Sequence, residues 1–189
     1  MKYADGQKKL EAARKKIAKL REEMGEVSKD VEPEAVEDYQ LATTNGSVKL
    51  SELFGDKDDL IVIHNMGASC PACTMWADSF NGILDHLQAR AAFVVVSPDA
   101  PAAQQKFAAG RGWRFPMASH QGTDFAEHMG YRSKEGKWRP GVSAFRKEGG
   151  KVVRVNDTGL GPYDDFCAAW HLFALLPDGT KEWWPKFKY

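Results

Sequence analysis

The chain has 189 residues, 43% of them apolar, which is enough for one full hydrophobic core and short for two. Its 26 basic and 26 acidic side chains balance, so charge gives no general reason to expect a nucleic-acid or membrane partner. The basic first two dozen residues lack the apolar stretch of an export signal and no later segment approaches 18 uninterrupted apolar residues, so a cytoplasmic protein is expected.

Between Gln7 and Met24, the apolar Leu10, Ala13, Ile17, Leu20 and Met24 recur at three- and four-residue steps among lysines and arginines. This predicts an amphipathic helix with a narrow apolar stripe and a basic polar face, suited to packing along its own domain, pairing with a second copy or touching something acidic. A homodimer through this helix is therefore one expected partner arrangement. The acidic "GEVSKDVEPEAVEDY" that follows contains Pro33 and reads as a linker, so the expected organisation is an extension over 1–36 and a domain over 37–189.

From Tyr39 the period shortens. "YQLATTNGSVKL" predicts a hairpin turning at Asn45-Gly46, both central residues taking positive φ. "LIVIHNM" reads as a buried strand, and "PACTMWADSFNGILDHLQARA" as one helix burying Trp76, Phe80, Ile83, Leu84 and Leu87. "AFVVVSP" is a second buried strand, "APAAQQKFAAGRG" a helix ending at Gly110 or Gly112, "RFPMAS" a short strand and "TDFAEHMGY" a short helix capped by Thr123 or Asp124. "GVSAFRK" and "KVVRVND" around "EGG" predict a second hairpin, and "PYDDFCAAWHLFALL" a closing helix. Strands alternating with helices, closed by a hairpin, define an α/β layer fold with a central mixed sheet flanked by helices.

Only three cysteines are present, too few for a disulfide scaffold, but Cys70 and Cys73 form a C-x-x-C pair between a buried strand and a helix start. Pro71 suits the first helical position, which makes Cys70 the N-cap. A thiolate there meets unpaired amide hydrogens and the positive end of the helix dipole, which lower its pKa. Cys73 lies one turn on, on the same face, within reach to resolve a mixed disulfide or sulfenic acid. Two alternatives stay open: a pair of buried thiols, and a metal or redox-sensing module in which His64 or another histidine completes two sulfurs. No second C-x-x-C and no H-x-x-x-H motif supports the metal reading.

The order of elements around "CPAC" resembles the thioredoxin fold. More narrowly, "CPACTMWADSF", "GWRFPMAS", "GTDF" and "PGVSAFRKEGGKV" resemble the thioredoxin-like bacterial family catalogued as domain of unknown function 899, over nearly the whole chain including the charged N-terminal helix. The resemblance implies a dithiol–disulfide oxidoreductase with an insertion like that of peroxiredoxins, and no organic cofactor. Its partners would be a protein or small-molecule disulfide, or a peroxide, and a reduced thiol donor. Pro140 in "RPGVSAF" stands where the superfamily keeps a cis-proline, which implies a substrate-positioning residue facing the dithiol, with the Arg139 backbone open to a substrate strand. His64, six residues before Cys70, stands where thioredoxins place a buried acid, which makes it the candidate proton acceptor for the resolving thiol; the other reading is a core histidine whose nitrogens are satisfied by backbone groups.

Two departures limit the likeness: Ser69 replaces the tryptophan before the first cysteine, and Pro-Ala replaces Gly-Pro between the two. The P-x-x-x-T-x-x-C signature of peroxiredoxins is missing from "NMGASC", which leaves thiol peroxidase as the alternative activity. Cys167 and His171, four apart among aromatic residues, are expected to form a core-facing pair, and His86, His120 and His128 to be surface or structural. The aromatic tail with Trp183, Trp184, Phe187 and Tyr189 is expected to cover an exposed edge of its own domain.

Overall fold

The computed structural model describes residues 1–189, which divide into two compact units, Met1–Pro33 and Glu34–Tyr189. The first unit is one helix, α1 (Tyr3–Asp30), longer at both ends than the apolar stripe alone marks out and with none of its residues buried. No helix of the chain is long and apolar enough to cross a membrane.

The second unit holds β1 (Glu34–Val36), β2 (Gln40–Thr43), β3 (Gly46–Lys49), a 3-10 helix (Leu50–Phe54), β4 (Asp59–His64), α2 (Pro71–Gly82), α3 (Leu84–Arg90) and β5 (Ala92–Ser97). Then come α4 (Pro101–Arg111), β6 (Met117–Ser119), α5 (Phe125–His128), β7 (Gly141–Glu148), β8 (Lys151–Gly159) and α6 (Ala168–Phe173). All eight strands join one sheet in the order β1-β8-β7-β4-β5-β6-β2-β3. β4, β5 and β6 are parallel, as strands linked by helical crossovers must be, while the β7–β8 hairpin and the β2–β3 hairpin add antiparallel pairs on either side. This is the mixed sheet of a thioredoxin-like α/β fold, preceded in sequence by the helical extension.

Strand parity divides the core into two apolar layers. Leu60 and Val62 of β4 and Val94 and Val96 of β5 point to the layer of Leu50, Phe54, Phe125 and Phe145. Ile63, Phe93 and Val95 point the other way, to Trp76, Phe80 and Leu84 of α2 and α3 and Trp170 of α6. Burying a side chain of this size contributes about 1.5–3 kcal/mol, so the two layers carry most of the stabilisation and fix the registers of the central strands.

Several local expectations are corrected. Residues 34–36, expected in the linker, form β1 and pair with β8 through Glu34↔Arg154, Ala35↔Val153 and Val36↔Val152. The β2–β3 turn is centred on Thr44-Asn45 rather than Asn45-Gly46, because Gly46 already pairs with Thr43; Gly46 alone takes positive φ. The single helix expected after Cys70 is broken at Ile83. Asn81 and Gly82 both disfavour a continuing helix, and the Asn81 amide binds elsewhere, donating to the Gly112 carbonyl at 3.2 Å and accepting from the Arg114 amide at 2.8 Å. The last helix starts at Ala168, not near Pro162. There the Asp164 carboxylate accepts from the Gly161 and Phe166 amides at 2.9 and 2.8 Å, folding the preceding segment into turns with Tyr163 at φ 68°.

The tail does cover its own domain: Trp183 packs edge-on against Trp170 and Phe173, and Phe187 against Phe107. At the start of β7, Gly141 lets the Tyr131 ring pass where a side chain would stand, since a Cβ would lie 1.8 Å from Tyr131 Cε1 and 2.8 Å from the Thr158 carbonyl oxygen. Gly141→Ala is expected to lower unfolding stability by about 3 kcal/mol or more in urea denaturation, whereas Gly159→Ala in the same hairpin, with nothing within 4 Å of its Cβ, should stay within about 0.5 kcal/mol of the parent.

Candidate functional site

The loop between β4 and α2 is shaped by three residues before it reaches the cysteines. The Asn65 amide continues the sheet by donating to the Val96 carbonyl at 2.9 Å, and the Asn65 side chain accepts from the Gly67 amide at 2.8 Å, an Asx turn. Gly67 takes φ 105°, and a Cβ there would lie 2.9 Å from a carboxylate oxygen of Asp99, so only glycine fits both the dihedral and the approach. Asp99, just beyond β5, accepts the Ala68 amide at 2.7 Å. The Cys70 amide then donates to the Gly67 carbonyl at 3.1 Å, and the chain enters α2 with Cys70 at the N-cap and Pro71 at the first position.

Cys70 caps the helix with its sulfur. The Cys73 amide donates to Cys70 Sγ at 3.1 Å, while the Cys70 carbonyl accepts from the Thr74 amide at 3.0 Å and from Thr74 Oγ1 at 2.9 Å. Both thiols are free, Cys70 partly exposed and Cys73 only 3% exposed. The hydrogen bond donated by the Cys73 thiol is the largest cause lowering the Cys70 pKa from 9.0 to about 7; the backbone amides of Cys73 and Ala72 act in the same direction and burial opposes them. Cys73 is pushed far up by giving that hydrogen bond, by burial and by the Cys70 charge. One sulfur is thus an accessible thiolate near neutral pH and its neighbour a buried thiol that keeps its proton. That division suits a nucleophile and a resolving group.

The other sequence-derived candidates fall elsewhere. His64 is 2% exposed and follows Leu60 and Val62 in parity, so its ring lies in the layer of Phe125 and Tyr131, on the sheet face opposite Cys73 and α2. It stacks on Tyr131 at 3.9 Å between ring centroids, and its Nε2 sits 3.0 Å from Ser143 Oγ. Burial, followed by the charges of His120 and Arg154, holds its pKa well below the usual histidine value, so the ring is neutral. The expected proton transfer between His64 and the resolving thiol is therefore corrected: this is a core histidine. The same placement removes it as a third ligand beside the two sulfurs, and no three His, Cys, Asp or Glu side chains converge in a way that could hold a metal ion.

Pro140 lies just outside the last β4–β7 pair, His64↔Gly141, at the end of the sheet from which the dithiol loop leaves. Its peptide bond is trans, which corrects the cis expectation. The Pro140 carbonyl accepts from the Leu160 amide at 3.0 Å, extending the β7–β8 ladder, and the Arg139 amide already donates to the Tyr131 carbonyl at 2.9 Å rather than standing open to a substrate. Cys167 and His171 do not form a core pair. Cys167 is fully buried at the α6 N-cap, near Ser79 Oγ at 3.6 Å, whereas His171 is exposed and sits 2.8 Å from the Asp164 carbonyl. Asn65, Gly67, Thr74 and Asp99 were missed. Asn65-x-Gly67 is a turn signature that could have been read; Asp99 carries no such signal, because it reaches the loop from the neighbouring strand.

These features define a thioredoxin-like domain with a dithiol at its first strand-to-helix turn, and solved structures share the fold. Reduced Prx3 from Vibrio vulnificus matches with a TM-score of 0.58 at 13% identity, covering 73% of this chain and 93% of that one. The bacterioferritin comigratory protein of Xanthomonas campestris, described with alkyl peroxide reduction activity, matches with a TM-score of 0.53 at 19% identity, covering 65% and 80%. Peroxidoxin BcpB from Mycobacterium tuberculosis matches with a TM-score of 0.50 at 28% identity, covering 68% and 81%. No curated protein matches the chain. The family model for a bacterial protein of unknown function, DUF899, matches residues 2–189, and the chain belongs to that family.

Asp99→Ala removes the charge-assisted acceptor of the Ala68 amide and is expected to cost about 1.5–3 kcal/mol of unfolding stability; Asp99→Asn, which keeps an acceptor oxygen, should lose less. Chemical denaturation of the reduced protein checks the order.

Proposed function

We propose that the protein is a dithiol–disulfide oxidoreductase with Cys70 as nucleophile and Cys73 as resolving thiol. The observation that carries this reading is the Cys70 sulfur at the start of α2, accepting the Cys73 amide at 3.1 Å with its pKa lowered to about 7. The Cys70 thiolate attacks one sulfur of a substrate disulfide, forming a mixed disulfide and releasing the other half as a thiolate. Cys73 then gives up its proton to the departing group and attacks Cys70 Sγ, releasing the second thiol and leaving a Cys70–Cys73 disulfide. The protein loses two electrons and the substrate gains them; a reduced thiol donor restores the dithiol. Pro140 lies at the end of the sheet where a substrate strand would approach, and its positioning role belongs to this proposal; the Arg139 amide is taken by the Tyr131 carbonyl and does not serve that strand.

A second reading, thiol-dependent peroxidase, is favoured by the peroxiredoxins among the structural neighbours. In that case Cys70 attacks a peroxide oxygen, becoming a sulfenic acid as the alkoxide or hydroxide leaves, and Cys73 condenses with it to give the same disulfide and water. Both readings use one pair of sulfurs and differ in the electrophile.

Insulin-disulfide reduction and peroxide consumption, each driven by a dithiol donor, separate them. Cys70→Ser is expected to abolish turnover with either electrophile. Cys73→Ser should stop catalytic cycling while keeping the first step, seen as a trapped mixed disulfide or, with peroxide, as a sulfenic acid labelled by dimedone. Full turnover by Cys70→Ser would overturn the assignment.

A further inference from the structure

α1 carries an apolar stripe that nothing in its own unit covers. Leu10, Ile17, Leu20, Met24 and Val27 are 46% to 68% exposed, and the helix has no buried residue. Their spacing is a strict heptad. Tyr3, Leu10, Ile17, Met24 and Val31 repeat every seven residues, and Gly6, Ala13, Leu20 and Val27 follow each at a step of three. A 3.5-residue repeat held over four heptads is the pattern of a helix that supercoils with another helix rather than one that lies on a globular surface.

The flanking charges choose the partner and its direction. The row beside the first apolar set runs Lys9, Lys16, Glu23, Asp30, basic in its N-terminal half and acidic in its C-terminal half. Such a row is complementary to itself reversed. The row beside the second set runs Gln7, Arg14, Arg21, Ser28. In a parallel pair the two rows face each other, setting Lys9 against Arg14 and Lys16 against Arg21 on both sides, with no compensating contact. In an antiparallel pair each row faces its own copy.

We propose that two copies of this chain pair through α1 as an antiparallel coiled coil, with Leu10 layered against Val27, Ala13 against Met24 and Ile17 against Leu20 of the second copy. In this register Lys9 faces Asp30 and Lys16 faces Glu23, each twice by symmetry, while Arg14 beside Arg21, also twice, is the one kind of like-charge contact. Sliding by one heptad stacks Leu10 on Leu20 but sets Lys16 against Lys16 and Arg14 against Arg14, so charge selects the first register. The small Ala13 opposite the long Met24 keeps that layer filled without overpacking. The pair is isologous: one surface meets its own copy and closes.

Sedimentation velocity of the full reduced chain, from micromolar to submillimolar concentration, tests the pairing, with far-UV circular dichroism confirming that each variant keeps its helix content. The parent is expected to show a monomer–dimer equilibrium. Lys16→Glu turns two attractive contacts with Glu23 into repulsive ones and should raise the dimer dissociation constant roughly tenfold, and Lys16→Glu with Glu23→Lys should restore it. A parent that stays monomeric overturns the proposal. So does a dimer unaffected by Lys16→Glu, a dimer tightened by it, which is the parallel outcome, or a double variant that fails to recover.

Discussion

The candidate site depends on the first turn of α2, where the Cys73 thiol and the Cys73 amide, at 3.1 Å, both donate to the Cys70 sulfur. The amides that open a helix have no carbonyl partners within it, and here a sulfur takes the place of the usual capping oxygen. Because hydrogen bonding to the ionised form favours it, the capping atom is also the proposed nucleophile. The buried Cys73 thiol donates to the same sulfur and is the largest influence holding it ionised, while that bond, burial and the Cys70 charge make Cys73 itself harder to ionise.

That contact needs the loop before it to arrive at a fixed angle, and the sheet supplies the angle. β4 ends at the centre of the sheet between β5 and β7, with both apolar layers holding it in register. From there Asn65 turns the chain, Gly67 allows the approach, and Asp99, delivered by β5, holds Ala68. The support of the site therefore comes from two adjacent parallel strands, and the cysteines sit at the carboxyl end of both, where open α/β sheets present their reactive groups.

Much of this was legible in the sequence. The strand-turn-helix around "CPAC", the identity of the N-cap and the crossover order all rest on short-range patterns, a run of β-branched residues, a proline at the first helical turn and helical spacing beyond it. What was not legible depended on side-chain direction or on distant contacts. Counting six residues back from Cys70 finds His64, but parity along β4 sends its ring to the far face of the sheet, against Tyr131. Pro140 matched a position, but its peptide bond is trans and its carbonyl is taken by the Leu160 amide. The break at Ile83 and the late start of α6 were set by side-chain bonds from Asn81 and Asp164 that compete with helical ones, and only the fold decides which competitor wins.

The central claim is that the Cys70 sulfur is ionised near neutral pH because the Cys73 thiol donates to it, helped by the Cys73 and Ala72 amides at the helix start. Thiolate absorbance at 240 nm, recorded against pH for the reduced protein and for Cys70→Ser as the reference, measures it directly. The account predicts one thiolate that appears as pH rises through about 7, is missing in Cys70→Ser, and shifts upward in Cys73→Ala as the donor thiol is lost. A Cys70 thiol that ionises only near its ordinary 9.0, unchanged by Cys73→Ala, would contradict it.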